Sequence, residues 1–595
     1  MDETAKPALL SQFARLLYRT QFGGSLDQAS FLAATVPQVL GSPYFASTPV
    51  FPVAAAALGG ARVTHRLMET WRDQPFFQSR VNIKSAPSPA PVVKGQEPRD
   101  AILIGYAVDT GKPIWIPYND PQKGGLVQHL LGIGKSGVGK TVAAFNILAQ
   151  HILQGGGVLQ IDGKLAFENY ETLKQLALIA GRENDLLVIN PGDPENSNTY
   201  NPCCFGDPDE IADRYIGMIP STETSAGADY YKQQVKTALN ILVEAVQSTG
   251  KAFNSLDLSI LMQSPRAIRY LDQIMPDGDP RRQLQMLMEG FRNADGQIDL
   301  KKLKDTFLGM AGRLFTFGSG KFGQITNSYN PDVQLLDAML TRKIVMLQLP
   351  TMNKDLSATN FAKLFMADMR TASAHIQALP KPQRPWPPTL GSFDEAGSYI
   401  STSWNRMFEQ LRDAHVILAA YAQTLANFTA ITDELGEMII GNTGLKLFFE
   451  LGTNDSAQEA ADLIGTYRGV MRSLATSGST SESISTLRVS PEMGVGQMSG
   501  QTMSEREEEM HIVTPTDLKR LQRGFCIATF NGGEVFHLRI PQIQISPDIV
   551  EEAKSLGINR PPKDTPPGMN LFDRFDEFVD RKDRDAMAAA AERAY

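Results

Sequence analysis

Short, continuously apolar runs bounded by glycine, aspartate or asparagine recur through most of the chain. Runs of about four to eight such residues are typical of strands that are buried on both faces of a parallel sheet. The pattern predicts strands at Gly157–Ile161, Leu186–Ile189, Ile344–Leu349, Leu390–Phe393, Val416–Tyr421 and Leu445–Phe449. Further strands are predicted at Ala101–Tyr106, Lys112–Ile116, Leu126–Gly132, Phe525–Phe530 and Glu534–Ile540, and a helix at Thr141–Gln154.

The pattern becomes helical from about Cys204 to Met310 and returns to strand runs afterwards. The predicted helices are Ala228–Gln247, Leu256–Gln263, Ser264–Gln273, Arg281–Arg292 and Leu300–Phe307. This order indicates an α/β domain that is interrupted by an all-α insertion. The predicted organisation is an N-terminal region (1–94), the first part of the α/β domain (95–203), the insertion (204–312), the second part of the α/β domain (313–545) and an acidic tail (546–595).

Two segments stand apart from this pattern. Residues 28–61 contain no charged residue, but four prolines and three glycines interrupt them. A spanning helix needs about 20 mostly apolar residues in succession, so we expect a packed or membrane-surface hairpin rather than a membrane span. Residues 473–501 are dominated by Ser, Thr and Gly, which predicts a mobile surface or pore-facing loop.

The C-terminal tail carries an amphipathic helical pattern. Its apolar residues share one face of a helix, and they are Leu571, Phe572, Phe575, Phe578 and Val579. Two interpretations remain open for this stripe. It packs back on the chain's own α/β domain, or it docks into a groove of a partner, for which three phenylalanines supply large anchors.

Composition narrows the class of protein. A chain of 595 residues with 42% apolar and 21% charged residues is globular material for two or three domains, not a disordered or polytopic membrane protein. Lys and Arg number 57 against 65 Asp and Glu, for a net charge of −8. This balance excludes a histone-like cationic surface but not a locally basic pore. Three cysteines, two of them adjacent, favour a reducing compartment over a disulfide framework.

One motif carries the strongest chemical signal. A G-x-x-x-x-G-K-[ST] sequence lies between a predicted strand and a predicted helix, and it consists of Gly134, Lys135, Ser136, Gly137, Val138, Gly139, Lys140 and Thr141. In such a loop the backbone N–H groups and the helix N-terminus surround phosphate oxygens. Lys140 is predicted to reach the β- and γ-phosphates of ATP, and the Thr141 hydroxyl to ligate Mg²⁺.

A phosphate loop of this kind needs an acidic partner at the end of a neighbouring strand. The run Leu390–Phe393 leads directly into Asp394 and Glu395. Asp394 is predicted to hold the Mg²⁺ shell, and Glu395 to polarise the attacking water. Arg412, on the helix after the acidic pair, and Gln423, just past the strand Val416–Tyr421, are candidates for a charge neutraliser and a γ-phosphate sensor.

The ordered set of motifs resembles the conjugative type IV coupling proteins of TraD/TraG type. It comprises GKSGVGKT, LQIDGK, VINPGD…NTYNP, a helical insertion, IVMLQLP, SFDEAGS and LRDAHVILAAYAQT, followed by HIVTPTDLKRLQRGFCIATFNGGEVFHLRIP. The resemblance covers roughly Ala101 to Ile545. Lys140, Thr141, Asp394 and Glu395 match the two nucleotide motifs of the family, and Arg412 and Gln423 match an arginine and a glutamine after the acidic pair. Asp162 and Lys164 match an acidic-x-Lys motif after the second strand.

The resemblance implies a RecA-like, FtsK-like P-loop motor with an all-α domain, assembled as a homo-hexamer that hydrolyses ATP. Its implied partners are a relaxase (relaxosome) with single-stranded DNA, and the ATPases and inner-membrane components of a type IV secretion channel. Family members usually begin with a transmembrane hairpin, where this chain offers only the broken segment 28–61. Either a separate subunit anchors this chain or it is a natural soluble variant. We expect a cytoplasmic location, at the cytoplasmic face of the bacterial inner membrane.

Two other functions remain open at this point. An effector-protein coupling ATPase is one, because an all-α domain with 15 acidic and 12 basic residues over 204–310 suits protein recruitment as well as relaxosome recruitment. A docking scaffold that binds ATP but barely hydrolyses it is the other, although Glu395 argues against it. An FtsK-like duplex pump is disfavoured, because the chain ends in a short acidic tail rather than in a small winged-helix module.

Overall fold

The computed structural model describes residues 101–120, 122, 124–219, 226–293, 296, 298–351, 355–479, 498–560 and 570–581. The predicted N-terminal region 1–94, with its uncharged segment 28–61, lies outside the described residues. Within the described ranges, no helix has both the length and the apolar character that crossing a bilayer requires.

An 11-stranded sheet forms the centre of the α/β domain. Its strands are β1 (Ala101–Ala107), β2 (Pro113–Pro117), β3 (Leu130–Ile133), β4 (Val158–Asp162), β5 (Leu186–Ile189), β6 (Ile344–Gln348), β7 (Thr389–Phe393), β8 (Val416–Ala422), β9 (Leu445–Phe448), β12 (Phe525–Phe530) and β13 (Glu534–Arg539). Two more, β10 (Thr466–Ser479) and β11 (Met498–His511), pair only with each other. The sheet order is β2-β1-β13-β12-β9-β3-β8-β7-β4-β6-β5.

The part of the sheet from β9 to β5 is entirely parallel. Its strands are continuously apolar because helices cover both faces. Consecutive residues of β3 point into different hydrophobic cores, with Leu130 on one face of the sheet and Leu131 on the other. The four strands from β2 to β12 extend the sheet by antiparallel pairing, and β12 joins them to β9. The predicted fold class, an α/β domain interrupted by an all-α insertion, is confirmed by the observed order of strands and helices.

The helices fall into three groups along the chain. Before β5 come α1 (Lys140–Leu153) and α2 (Phe167–Ile179). Between β5 and β6 lie α3 (Pro208–Ile216), α4 (Ala226–Ser248), α5 (Ser255–Gln263), α6 (Pro265–Ile274), α7 (Asp279–Glu289), α8 (Leu300–Gly318), α9 (Gly320–Thr326) and α10 (Leu335–Leu340). After β6 come α11 (Asp355–Ala378), α12 (Trp404–Gln410), α13 (Ala426–Thr429), α14 (Asp433–Asn442), α15 (Asn454–Ile464), α16 (Pro515–Lys519) and α17 (Pro547–Ser555).

Helices α3 to α8 fall in the range predicted for the all-α insertion (204–312), which α8 exceeds by ending at Gly318, and α9 and α10 follow them before β6. Their starts are encoded locally, since Asp207 and Asn254 each cap a helix through a reciprocal capping box. Their apolar faces join one hydrophobic core with one face of the sheet, in which Leu239 of α4 and Leu314 of α8 lie with Ile133 of β3. The insertion is therefore packed onto the α/β domain through a shared core.

Three predicted elements differ from the observed ones. The predicted strand Leu126–Gly132 is a 3₁₀ turn followed by β3, because His129 has a left-handed backbone (φ 71°) that breaks the strand. The predicted helix Leu300–Phe307 continues to Gly318. Arg412 does not lie on a helix, because α12 ends at Gln410 and a turn with His415 at φ 57° leads into β8.

The predicted loop 473–501 is also different over its described part. Residues 466–479 and 498–511 form a two-stranded antiparallel ribbon with 14 paired positions. The segment lacks apolar anchors, but threonine favours strands and the two backbones satisfy each other's hydrogen bonds. The low number of apolar residues in this segment therefore did not mean that it lacks secondary structure.

The C-terminal segment 570–581 packs against the insertion. Leu571 is fully buried, and Asn570 forms a β-bridge with Ala252. The rings of Phe572, Phe575 and Phe578 lie 6.0, 5.5 and 5.4 Å from that of Tyr270 on α6. The predicted apolar stripe thus contacts its own chain, but on the insertion rather than on the α/β domain.

Candidate active site

The G-x-x-x-x-G-K-[ST] loop connects the end of β3 to the start of α1. Gly137 and Gly139 have φ values of 77° and 115°, a region in which residues with a side chain are strained. Gly134 is needed for a different reason, since a Cβ at this position would lie 2.6 Å from the Cβ of Phe449. The glycine spacing seen in the sequence is therefore required by the turn itself.

The loop presents its tip to solvent and keeps its base in the core. Lys135, Ser136 and Gly137 are exposed, whereas Gly134 and Val138 are buried. Lys135 N donates a hydrogen bond of 2.9 Å to the carbonyl oxygen of Glu450, and the side chains of the same two residues form an ion pair. The segment after β9 thereby fixes one side of the loop.

Lys140, the first residue of α1, points back into the loop. Its Nζ donates to the carbonyl oxygens of Gly134 at 2.5 Å and Lys135 at 3.0 Å. Burial lowers the pKa of Lys140, and the charges of Glu395 and Asp394 oppose that shift. The ammonium is thus held at the concave side of the loop, where phosphate oxygens are expected to bind.

The order of the sheet brings the acidic pair to this loop. Only β8 separates β7 from β3, and all three strands are parallel, so their C-terminal ends share one edge. Asp394 follows β7 directly, and its Oδ2 lies 3.5 Å from the Thr141 hydroxyl. A hydroxyl beside a carboxylate offers the oxygen ligands that Mg²⁺ prefers, and Mg²⁺ commonly uses only one or two protein ligands with phosphate oxygens.

Burial raises the pKa of Asp394, and the adjacent Glu395 raises it further, while Lys164 and Lys140 act in the opposite direction. A carboxylate whose charge is unfavourably buried is a site where a cation is stabilising. The donor set and its charge therefore both fit a divalent cation.

Glu395 has a left-handed backbone (φ 51°, ψ 41°), which is uncommon for a residue with a side chain. Its Oε1 lies 2.6 Å from Lys164 Nζ, and its Oε2 accepts a hydrogen bond of 3.2 Å from Gln423 Nε2. Burial alone would raise the pKa of Glu395, but the hydrogen bond and charge of Lys164, with Gln423 and Lys140, outweigh it and lower the pKa.

Sequence reasoning noted Asp162 and Lys164 but did not include them among the site residues. Asp162, the last residue of β4, is fully buried, and its carboxylate accepts hydrogen bonds from the backbone N–H groups of Lys164 at 3.0 Å and Ala166 at 2.9 Å. This turn carries Lys164 to Glu395. The acidic-x-Lys spacing was the available signal, but the contact depends on the neighbouring strands.

Arg412 is not brought to this cluster within the chain. It precedes β8, whereas the loop and Gln423 follow the ends of β3 and β8, so Arg412 lies at the opposite edge of the sheet. There its charge contributes to lowering the pKa of the buried His129. Of the predicted side chains, Lys140, Thr141, Asp394, Glu395 and Gln423 form one cluster.

Parts of this chain are similar to known proteins. Residues 388–523, which include the acidic pair, match the family model described as "TraM recognition site of TraD and TraG". The chain is also 23% identical over 399 residues to the type 4 coupling protein DotL of Legionella pneumophila, a match that covers 59% of this chain. The chain resembles type IV coupling proteins. It spans about half (50%) of the length of the curated coupling protein that it matches.

Three solved structures show a partial similarity to this chain at low sequence identity. The unbound bacterial conjugative coupling protein TrwBdeltaN70 superposes with a TM-score of 0.49 at 14% identity, over 79% of this chain and 92% of that one. The plasmid coupling protein TrwB in complex with ADP and Mg²⁺ gives a TM-score of 0.47 at 13% identity, over 71% and 88%. VirB4 of Thermoanaerobacter pseudethanolicus gives 0.43 at 14% identity, over 78% and 100%.

Proposed function

We propose that this chain is a P-loop ATPase that couples a substrate to a type IV secretion channel. The observation that carries this proposal is the convergence of Lys140 and Thr141, at the end of β3, with Asp394 and Glu395, at the end of β7. A phosphate loop, a metal-binding pair of oxygens and a second carboxylate then meet at one edge of a parallel sheet, where ligands of such sheets bind.

Each side chain has a distinct role in this proposal. The backbone of residues 134–141 and the ammonium of Lys140 bind the phosphates of ATP. Thr141 and Asp394 hold Mg²⁺, which would neutralise charge on the β- and γ-phosphates. Glu395 orients and polarises the attacking water, and Gln423 lies close enough to Glu395 to sense the γ-phosphate region.

The proposed assembly is a homo-hexameric ring. Arg412 lies at the edge of its own sheet that is opposite to the P-loop. It can therefore act only on a nucleotide that a neighbouring subunit binds. An arginine supplied across an interface stabilises the charge of the transition state. This requirement makes hydrolysis depend on the ring.

The proposed substrate is a relaxase bound to single-stranded DNA, handed to the ATPases and inner-membrane components of the secretion channel. The proposed location is the cytoplasmic face of the bacterial inner membrane, with a separate subunit as the anchor. Effector-protein coupling is the second candidate, favoured by the acidic balance of residues 204–310, which contain 15 acidic and 12 basic residues. A net negative surface binds nucleic acid poorly.

The test is the ATPase rate of the purified chain measured alone, with single-stranded DNA and with duplex DNA, while light scattering reports the oligomeric state. Stimulation of the rate by single-stranded DNA, in parallel with ring formation, supports the DNA-coupling function. Turnover that no DNA changes, but that a secreted protein stimulates, favours effector coupling. Nucleotide binding without turnover in a ring leaves only the docking scaffold.

A further inference from the structure

The carboxylate of Glu395 is contacted from both neighbouring strands. In the sheet order β8-β7-β4, Glu395 follows the middle strand. Lys164, after β4, contacts Oε1 at 2.6 Å, and Gln423 Nε2, after β8, lies 3.2 Å from Oε2 and 3.4 Å from Oε1. The carboxylate is therefore held from both sides by two elements that belong to the same sheet.

Lys164 is placed for this contact by its own turn. Asp162 anchors the turn through its two hydrogen bonds to backbone N–H groups, and Leu165 has a left-handed φ of 53°. Gly163 of the same turn lies beside the acidic pair, since a Cβ there would be in ordinary contact, at 3.4 Å, with the Cβ of Glu395 and the carbonyl oxygen of Asp394. Several constraints thus converge on one ion pair.

Stability alone does not account for this pair. The Lys164 side chain is 43% exposed and that of Glu395 is 14% exposed, and ion pairs near the surface contribute about 0–1 kcal/mol because solvent screens them. A glutamate with three rotatable side-chain bonds, on the other hand, samples many orientations unless its oxygens are held. Catalysis by a water-activating carboxylate depends strongly on orientation.

We propose that Lys164 is a positioning residue for Glu395, which fixes the carboxylate, together with Gln423, in the orientation from which it polarises water. This inference rests on the proposed ATPase function and deepens it. Lys164 acts through Glu395 and does not itself bind the phosphates, which Lys140 and the loop hold.

The first experiment compares Lys164→Met, Lys164→Arg and the parent chain. Lys164→Met should lower kcat at least about 10-fold, because a misplaced catalytic group costs up to about 10²-fold. KM for ATP and the affinity for a non-hydrolysable ATP analogue should change less than about twofold. Lys164→Arg keeps a cation in reach of Oε1 and should recover most of kcat. The matched control is Lys554→Met, which removes an exposed lysine–glutamate pair on α17 and should leave kcat unchanged.

The second experiment adds Lys164→Met to Glu395→Gln. A residue that acts only through Glu395 has nothing left to position, so the double variant should hydrolyse ATP at the residual rate of Glu395→Gln. A further loss in the double variant, or weaker binding of the ATP analogue to Lys164→Met, would show a direct phosphate contact and overturn the inference.

The outcomes also separate this inference from the proposed function. A chain that binds no nucleotide, or that binds it without turnover, overturns both the ATPase and the positioning role. If the Lys164→Met variant hydrolyses ATP at the parental rate, the proposed function stands and only the positioning role is overturned.

Discussion

The Thr141 hydroxyl lies 3.5 Å from Asp394 Oδ2, although 253 positions separate the two residues in the sequence. Thr141 is fixed by the start of α1 and Asp394 by the end of β7, and the interposed strand β8 sets the spacing between them. The two oxygens of the proposed Mg²⁺ site therefore form a site only in the complete sheet, with the insertion looped out between β5 and β6.

Substitutions at Lys140 and at Glu395 should affect nucleotide binding and hydrolysis differently. Lys140→Ala should abolish binding, because the buried ammonium is the principal cation of the loop. Glu395→Gln preserves the shape of the side chain but removes the charge that polarises water. The variant should therefore bind ATP, and its rate of hydrolysis should fall by about 10²-fold or more. Equilibrium binding of a fluorescent ATP analogue and a phosphate-release assay measure the two effects. Hydrolysis at the parental rate by Glu395→Gln would contradict the role of this carboxylate.

The sequence was sufficient for those parts of the site that are encoded locally. The P-loop has a glycine spacing that its own backbone requires, and the acidic pair follows a continuous apolar strand. Strands β5 and β12 were predicted to the residue, because runs buried on both faces end abruptly at polar residues.

Contacts between strands were beyond sequence reasoning. Lys164 contacts Glu395 because β4 and β7 are neighbours in the sheet. The order of strands in a sheet produces no local pattern in the sequence of either strand. Helix α12 ends at Gln410, five residues before the left-handed His415, and no proline or glycine marks this end in the sequence. The stripe at Phe572, Phe575 and Phe578 was recognisable, but its partner Tyr270 was not.

Arg412 should function in a neighbouring subunit. Because it lies at the edge of the sheet opposite to its own P-loop, Arg412→Ala should leave ATP binding intact and lower hydrolysis. Mixing Arg412→Ala chains with Lys140→Ala chains should then restore part of the activity, since some interfaces combine an intact loop with an intact arginine. Phosphate release is measured over a range of mixing ratios, with mixed rings verified by native mass spectrometry. Absence of rescue in verified mixed rings would leave Arg412 with a structural role.

A buried ion pair holds the insertion on the α/β domain. Arg214 of α3 and Asp368 of α11 have side chains that are 0% and 5% exposed, and their Nη2 and Oδ1 atoms lie 3.2 Å apart. Arg214 Nη1 also donates to the carbonyl oxygen of Pro202 at 2.6 Å, and the Tyr200 hydroxyl donates to Asp368 Oδ2 at 2.8 Å. Arg214→Met should lower the free energy of unfolding by about 3–5 kcal/mol, because it leaves a buried charge unpaired.

The control for that prediction is the double variant Arg214→Met with Asp368→Asn. The amide still accepts the hydrogen bond of Tyr200 but carries no charge, so part of the lost stability should return. Urea unfolding at neutral pH measures Arg214→Met, Asp368→Asn and the double variant. A double variant that is as unstable as the sum of the single variants would show that the charges do not interact.

Removal of residues 566–595 should lower the melting temperature by several degrees. The deleted segment includes the fully buried Leu571 and the rings that cover Tyr270. Phe575→Ala and Tyr270→Ala should be less than additive, since aromatic pairs contribute about 0.5–1.5 kcal/mol beyond their buried area. Glu577→Ala, on the exposed face of the segment, is the control. An unchanged melting temperature after truncation would favour the alternative, a tail that docks into a partner.

Acid should destabilise the α/β domain through His129, whose ring is buried between β8 and α12. Its Nδ1 accepts a hydrogen bond of 3.1 Å from the backbone N–H of Leu418, and its Nε2 lies 3.2 Å from the carbonyl oxygen of Phe408. Nδ1 therefore carries no proton, and the neutral ring donates from Nε2. Burial lowers the pKa of His129 to about 4, against the hydrogen bond to Phe408, and the charge of Arg412 lowers it further.

Because the folded pKa lies below the unfolded value of about 6.5, the contribution of His129 is complete above pH 6.5 and is lost as the pH falls from 6.5 towards 4. The full loss is about 3 kcal/mol, at about 1.4 kcal/mol per pKa unit.

His151 and His537, with pKa values also lowered to about 4 by burial, add losses of the same sign, so a variant is needed to isolate His129. His129→Asn keeps an acceptor for the backbone N–H of Leu418 and does not titrate in this range. Its free energy of unfolding in urea should fall less between pH 7.5 and 5 than that of the parent. Equal falls in the parent and in the variant would assign the acid sensitivity to other groups.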